Sequence, residues 1–203
     1  MNEDPPIVFI VDDDSSVRSS LARLISSIGL QAKTFSSAQE FLQHEHPKGP
    51  CCLVLDIRLP GLNGLDLQDY LNSLSYNIPI IFITGCGNIP MSVRAIKHGA
   101  VNFLEKPFED QALLDAVQNA IEQNKQARQK EAEIFEIQQR IEALTSRERE
   151  VFVLVVTGMM NKQIAAELGT SEKTVKVHRA RVMEKMQVKS LAELVRMAGK
   201  VSL

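Results

Sequence analysis

Five short apolar runs punctuate the first half of the 203-residue chain: Ile7 to Val11, Ala32 to Phe35, Cys52 to Leu55, Ile78 to Ile83 and Val101 to Leu104. Each is almost uninterrupted by polar side chains, the pattern of strands buried on both faces rather than on one. Amphipathic stretches separate them. Val17, Leu21, Leu24, Ile25 and Ile28 fall at helical spacing ahead of a stop at Gly29, as do Leu65, Leu67, Tyr70, Leu71 and Leu74, and then Met91, Val93, Ala95 and Ile96. Parallel strands need crossovers of roughly a dozen residues or more. The alternation therefore predicts a doubly wound α/β domain, a five-stranded parallel sheet with helices on both faces.

The second half reads differently. From Gln111 to Leu144 there is no Pro or Gly, and Ile134, Ile137, Ile141 and Leu144 recur at intervals of three, four and three, which predicts a helical linker with one apolar seam. That seam can pack on its own domain or pair with a second copy, and the sequence leaves both open. Beyond Thr145, four short helical segments are broken at Gly158, Gly169 and around Val188 to Ser190, with no strand pattern. The expected organisation is an α/β domain over residues 1–123, a linker over 124–140, and a separate all-α four-helix domain over 141–203.

Composition limits the function classes. Apolar residues make up 44% of the chain and charged residues 24%, enough to bury ordinary cores. The longest apolar runs are too short to cross a bilayer and Met1 to Asp4 is no basic signal region, so a cytoplasmic chain with no membrane partner is expected. Cys51, Cys52 and Cys86 lack metal-ligand spacing and predict reduced, partly buried thiols. Residues 1–124 hold eight basic against fifteen acidic side chains, a net −7, whereas residues 141–203 hold eleven against seven, a net +4. Two halves of opposite sign point to different partners.

In a doubly wound sheet, ligands gather beyond the carboxyl ends of the strands. The first run ends in Asp12, Asp13 and Asp14, and the third in Asp56. Carboxylates crowded at neighbouring strand ends repel one another and suit a hard cation, Mg²⁺ foremost. Thr84 ends the fourth strand and Lys106-Pro107 follows the fifth, adding a hydroxyl and an ammonium, both partners for phosphoryl oxygens. With that charge compensated, Asp56 can attack phosphorus and form an acyl phosphate.

This constellation resembles the response-regulator receivers over about residues 5–123. The resemblance implies a flavodoxin-like fold, Asp12 and Asp13 as Mg²⁺ ligands together with Asp56 and the Arg58 backbone carbonyl, and Asp56 as the phosphoacceptor. It further implies Thr84 and Lys106 as partners of phosphoryl oxygens, and Thr84 with Phe103 as the switch pair. The stretches Asp56-Ile-Arg-Leu-Pro-Gly-Leu-Asn-Gly64, Ile83-Thr-Gly85 and Phe103-Leu-Glu-Lys-Pro-Phe108 look like the FixJ-type subgroup.

In the second domain, Asn161 to Leu168, then Gly169-Thr-Ser171, then Glu172 to Met186 reads as helix, tight turn, helix. Ser171 suits the cap of the second helix. Val175, Val182 and Met186 would face inward, leaving Lys173, Lys176, Val177, Ala180, Arg181 and Glu184 outward. A basic helix face of this kind can enter a major groove. Leu144-Thr-Ser-Arg-Glu-Arg-Glu-Val151, Asn161-Lys-Gln-Ile-Ala165 and Thr174-Val-Lys-Val-His178 resemble the LuxR-type helix-turn-helix of the NarL/FixJ class. The resemblance implies groove contacts from Lys176 and Val177, phosphate contacts near Lys162, Thr174 and Arg181, and dimer pairing through the last helix. It places Lys173 on the same face. At Ala180, where the family often carries a polar or basic residue, Arg179 and Arg181 are the candidates to compensate.

Together these readings predict a transcriptional response regulator. A sensor histidine kinase phosphorylates Asp56, a homodimer forms on phosphorylation, and promoter DNA is bound at paired half-sites, with RNA polymerase a further candidate partner. Enzymatic activity is expected only towards the chain's own aspartate. A protein-docking module without DNA binding and an aspartyl-phosphate phosphatase are the competing readings.

Overall fold

The computed structural model describes residues 5–45, 47, 49–74, 76–85 and 89–201. The chain divides into two compact units, residues 1–128 and 129–203. In the first, the elements run β1 (Ile7–Val11), α1 (Ser15–Ser27), β2 (Gln31–Phe35), α2 (Ala38–Leu42), β3 (Cys51–Asp56), α3 (Gly64–Ser73), β4 (Ile80–Thr84), α4 (Ile89–Lys97) and β5 (Asn102–Glu105), and α5 (Asp110–Glu142) begins there. All strand pairs are parallel, in the order β2-β1-β3-β4-β5. This is the expected doubly wound fold, and the strand order reverses between β1 and β3, where such sheets bind ligands.

The near-continuous apolar runs are explained by the two faces. Phe9, Val11, Leu53, Leu55 and Phe82 point to one side and pack with Phe41, Leu67 and Leu71 from α2 and α3. Val8, Ile10, Val54, Ile81 and Ile83 point to the other and pack with Leu21 and Ile25 of α1 and Leu113 and Val117 of α5. Successive residues of β1, β3 and β4 alternate between cores, so nearly all their positions are buried, whereas the edge strands are less apolar than expected: Gln31, Lys33 and Thr34 of β2 and Glu105 of β5 are exposed. β4 starts two residues later than the sequence suggests, because Pro79 has no N–H for the ladder, although its carbonyl still accepts from Leu53 N at 2.9 Å.

The helix α4 forms where the spacing predicts, but its apolar stripe is largely uncovered. Of its apolar positions only Ala95 is buried, whereas Ile89, Val93 and Ile96 are 79%, 45% and 49% exposed. Cys51 and Cys52 are buried free thiols; burial pushes Cys51 up to about 11 and Cys52 higher still, which suppresses thiolate reactivity. Cys86 lies outside the described residues.

The second unit comprises the last part of α5 and the helices α6 (Ser146–Val156), α7 (Asn161–Glu167), α8 (Glu172–Lys185) and α9 (Leu191–Ala198). Its core joins Val151, Phe152, Ile164, Val175, Val182, Met186 and Leu194. Three of the four seam residues meet this core: Ile137 of α5 and Leu144 just beyond its end are buried in it, with Ile141 packed against it. The seam thus covers its own unit. Gly158 and Gly169 have φ of 88° and 60°, the left-handed conformation that stops α6 and α7 where the sequence predicts breaks. Among the described residues, no helix is long and apolar enough to cross a membrane.

Candidate functional site

The β1–β3 register sets Val11 beside Leu55, so the residues that follow, Asp12 and Asp56, emerge at the same rim. One carboxylate oxygen from each of Asp12, Asp13 and Asp56 lies within 4.8 Å of the others. Asp12 and Asp56 are buried, and Asp13 is exposed. Lys106 bridges the buried pair, donating from Nζ to Asp12 Oδ2 at 2.7 Å and to Asp56 Oδ2 at 3.0 Å. Its backbone N–H donates to the Thr84 carbonyl at 2.7 Å, which ties it to the end of β4. Thr84 itself is fully buried.

The two buried carboxylates share one ammonium, and the electrostatics reflect it. Burial raises the Asp12 carboxyl above the usual carboxylate range despite the Lys106 hydrogen bond. Burial also pulls Lys106 down, but its bonds to Asp12 and Asp56 outweigh that and leave it raised. Of the aspartate run, Asp14 stands apart: it caps α1, accepting from the Ser16 N–H and hydroxyl, each at 2.7 Å, and these bonds lower its carboxyl. The candidate donor set for a cation is therefore Asp12, Asp13 and Asp56, all hard oxygens.

The loop after β3 is shaped around Asp56. Its Oδ1 accepts from Arg58 N at 3.1 Å. The Arg58 side chain is exposed. A Cβ at Gly64 would lie 2.4 Å from the Asp56 carbonyl oxygen and 3.0 Å from Ile57 Cα, so only glycine fits there. Arg18 of α1 donates to the Asp12 carbonyl at 2.7 Å. Arg18 was not singled out from sequence, and Gly64 entered only as the end of the family-like stretch from Asp56, without a role; its place directly after the helix-capping Asn63 is a further hint. Phe103 sits on β5 opposite Phe82, partly buried against the core that α2 and α3 cover.

In the second unit, α7 and α8 form the expected helix-turn-helix. Ser171 caps α8 by accepting from Thr174 N at 3.1 Å, and Val175, Val182 and Met186 are buried. Lys173, Lys176, Val177, Ala180, Arg181 and Glu184 are exposed, Thr174 is partly so, and Lys162 is exposed on α7. Arg179 does not join them: it is partly buried and donates to Asn161 Oδ1 at 3.0 Å, so it does not compensate for Ala180 on the outward face. His178 is partly buried, with Nδ1 inaccessible and unpartnered among the described residues. Glu148 of α6 completes a capping box with Thr145 and accepts from Lys185 of α8 at 2.6 Å, fixing the two helices together.

Comparison with known proteins agrees with both halves. Residues 8–118 match the family of response regulator receiver domains, and residues 142–198 match the bacterial regulatory proteins of the luxR family. The chain is 54% identical over 192 residues to nodulation protein W of Bradyrhizobium diazoefficiens, covering 95% of this chain and 85% of the relative. It is 45% identical over 191 residues to the transcriptional regulatory protein FixJ of Rhizobium meliloti, covering 94% of each. The solved structure of response regulator StyR superposes with a TM-score of 0.89 at 49% identity, over 98% of this chain and 100% of that one.

Proposed function

Because this chain belongs to the two-component response regulators of the NarL/FixJ class, with a receiver joined to a LuxR-type DNA-binding domain, we propose that phosphorylation of Asp56 by a sensor histidine kinase switches its binding to promoter DNA. The observation that carries this reading is Lys106 bridging Asp12 and Asp56 at the strand-end rim. In the proposed reaction an Asp56 carboxylate oxygen attacks phosphorus in line and the donor's bond to phosphorus breaks, leaving an acyl phosphate. Lys106 then pairs with a phosphoryl oxygen, and the Thr84 hydroxyl turns to donate to another.

Asp12, Asp13, Asp56 and the Arg58 carbonyl are the proposed holders of Mg²⁺, which when bound supplies positive charge against the phosphoryl oxygens. Phe103 fills the space that Thr84 vacates. The chemistry is confined to gain and loss of the chain's own phosphoryl group. Exposed Ile89, Val93 and Ile96 on α4 support a homodimer face that phosphorylation brings into use. Lys176 and Val177 are proposed to read base edges, with Lys162, Lys173, Thr174 and Arg181 near phosphates. The dimer then spans paired half-sites in the cytoplasm, activating transcription through RNA polymerase.

The test is binding of the full chain to a promoter-fragment library, with and without Mg²⁺ plus a small phosphoryl donor. Selective enrichment that strengthens on phosphorylation, is lost in its phosphorylation response in Asp56→Asn, and is weakened in Lys176→Ala without loss of phosphoryl uptake is expected. Equal enrichment with and without donor would refute receiver control, and absence of enrichment would refute the DNA reading.

A further inference from the structure

The helix α7 is only seven residues long and has no side-chain N-cap, since Met160 precedes it and a thioether offers no capping oxygen. Two turns of helix do not hold their own direction. Two arginines from neighbouring helices hold the ends of α7. Arg147 of α6 donates to the Leu168 carbonyl at 2.6 Å, satisfying an acceptor left open at the C-terminal end. Arg179 of α8 donates to Asn161 Oδ1 at 3.0 Å at the N-terminal end.

Arg179 and Arg181 stand two residues apart on a basic helix and invite the same reading as phosphate contacts. On a helix of 3.6 residues per turn they point roughly 200° apart, so one groove cannot take both. Arg181 is the exposed one and has no polar partner among the described residues, whereas Arg179 is partly buried against α7.

We propose that Arg179 is a positioning residue of the DNA reader: through Asn161 it sets the angle of α7 against α8, and with it the register of Lys176 and Val177 in the groove, without neutralising a phosphate. A planar guanidinium suits a partly buried bond to an amide oxygen, where a flexible ammonium would hold the angle loosely. Loss of the bond lets α7 tilt, which misplaces base contacts while the positive charge on the exposed face stays where it was. The inference rests on the DNA-binding reading above.

The test uses the full phosphorylated chain, a duplex enriched by the wild type from a random library, and a shuffled duplex of equal length. Affinities are measured across a salt series for wild type, Arg179→Ala, Asn161→Ala, the double variant and Arg181→Ala, with folding checked by far-UV circular dichroism. Arg179→Ala is expected to lose about tenfold on the enriched duplex, as for a misplaced base contact, while its affinity for the shuffled duplex and its log–log salt slope stay unchanged. Asn161→Ala should do the same and the double variant no worse. Arg181→Ala should instead weaken both duplexes and reduce the slope by about 0.9, the value for one phosphate. A slope loss in Arg179→Ala, equal weakening on both duplexes, or additive single effects would overturn the proposal. If Arg179→Ala does not fold, Asn161→Ala decides, and unaltered discrimination in that variant overturns it. Absence of salt-dependent binding by the wild type would sink the DNA reading itself, a result distinct from all of these.

Discussion

Replacing Glu148 by glutamine should destabilise the second unit by about 2–3 kcal/mol at neutral pH and leave the first unit untouched. The Glu148 residue is only 2% exposed, and its Oε2 accepts from Lys185 Nζ at 2.6 Å and from Thr145 N at 2.9 Å. Those bonds, the Lys185 one foremost, hold its carboxyl at about 2 against an ordinary 4.5. A difference of about 2.5 pH units at roughly 1.4 kcal/mol each is about 3.5 kcal/mol of preference for the ionised form in the folded state. The Lys185 side chain is 36% exposed, so water recovers part of this in the variant. Because the folded value is depressed, the contribution is complete above about 4.5, falls away as pH drops from there towards 2, and is absent below. Both tyrosines, Tyr70 and Tyr76, belong to the first unit. In urea, tyrosine fluorescence therefore follows that unit alone while helical dichroism follows both. Glu148→Gln should lower the midpoint of the dichroism-only transition by about 1–2 M, given a slope of roughly 1.5 kcal/mol/M, and the gap from wild type should shrink by roughly half between pH 5 and 3. A gap that persists unchanged to pH 3, or a shifted tyrosine transition, would refute the argument.

Gly64→Ala places a methyl 2.4 Å from the Asp56 carbonyl and should force the β3–α3 loop to shift; phosphoryl uptake from a small donor is expected to slow at least tenfold, with a stability loss of about 1–3 kcal/mol, and wild-type uptake would contradict it. Lys106→Ala leaves the Asp12 and Asp56 carboxylates unpaired, so Mg²⁺ binding by calorimetry should tighten as a competing cation is removed while phosphoryl uptake is lost; weaker Mg²⁺ binding would show that the lysine organises the donor set. Val93→Lys puts a charge on the exposed face of α4, so it should keep phosphoryl uptake but abolish any phosphorylation-dependent increase in sedimentation; an unaltered shift would remove α4 from the dimer face.

The central strands were legible because the two cores make nearly every position of β1, β3 and β4 apolar, and the rim followed from strand ends: once the runs are placed, Asp12, Asp13, Asp56, Thr84 and Lys106 can only fall at their carboxyl termini. What was not legible depends on tertiary partners. The helical spacing of Met91, Val93, Ala95 and Ile96 suggests burial, yet only Ala95 is fully covered and Met91 partly, while Val93 and Ile96 are exposed, because periodicity reports an apolar stripe and not what lies against it. The α5 seam had two possible partners until the α6–α9 core showed which one it meets. A run of three aspartates does not say that the third caps a helix, and a basic helix does not say which arginine turns inward.

Two carboxylate–lysine arrangements, one in each unit, separate structural from functional charge. At Glu148 one carboxylate meets one ammonium and a backbone N–H, so the group is closed and nothing further is needed to balance it. At the strand-end rim three carboxylates cluster, and the one ammonium, Lys106, bonds to two of them, Asp12 and Asp56. That leaves a surplus of about two negative charges where two of the three aspartates have little access to water, an imbalance that a divalent cation offsets and that no structural role requires. The DNA-binding unit shows the same distinction with opposite sign. Arg147, Arg149, Arg179 and Lys185 are bound within it, while Lys162, Lys173, Lys176 and Arg181 have no polar partner among the described residues. Charge the fold has already neutralised contributes to stability; charge it leaves over is what supports the proposed ligands, a cation with a phosphoryl group in one unit and a polyanion in the other.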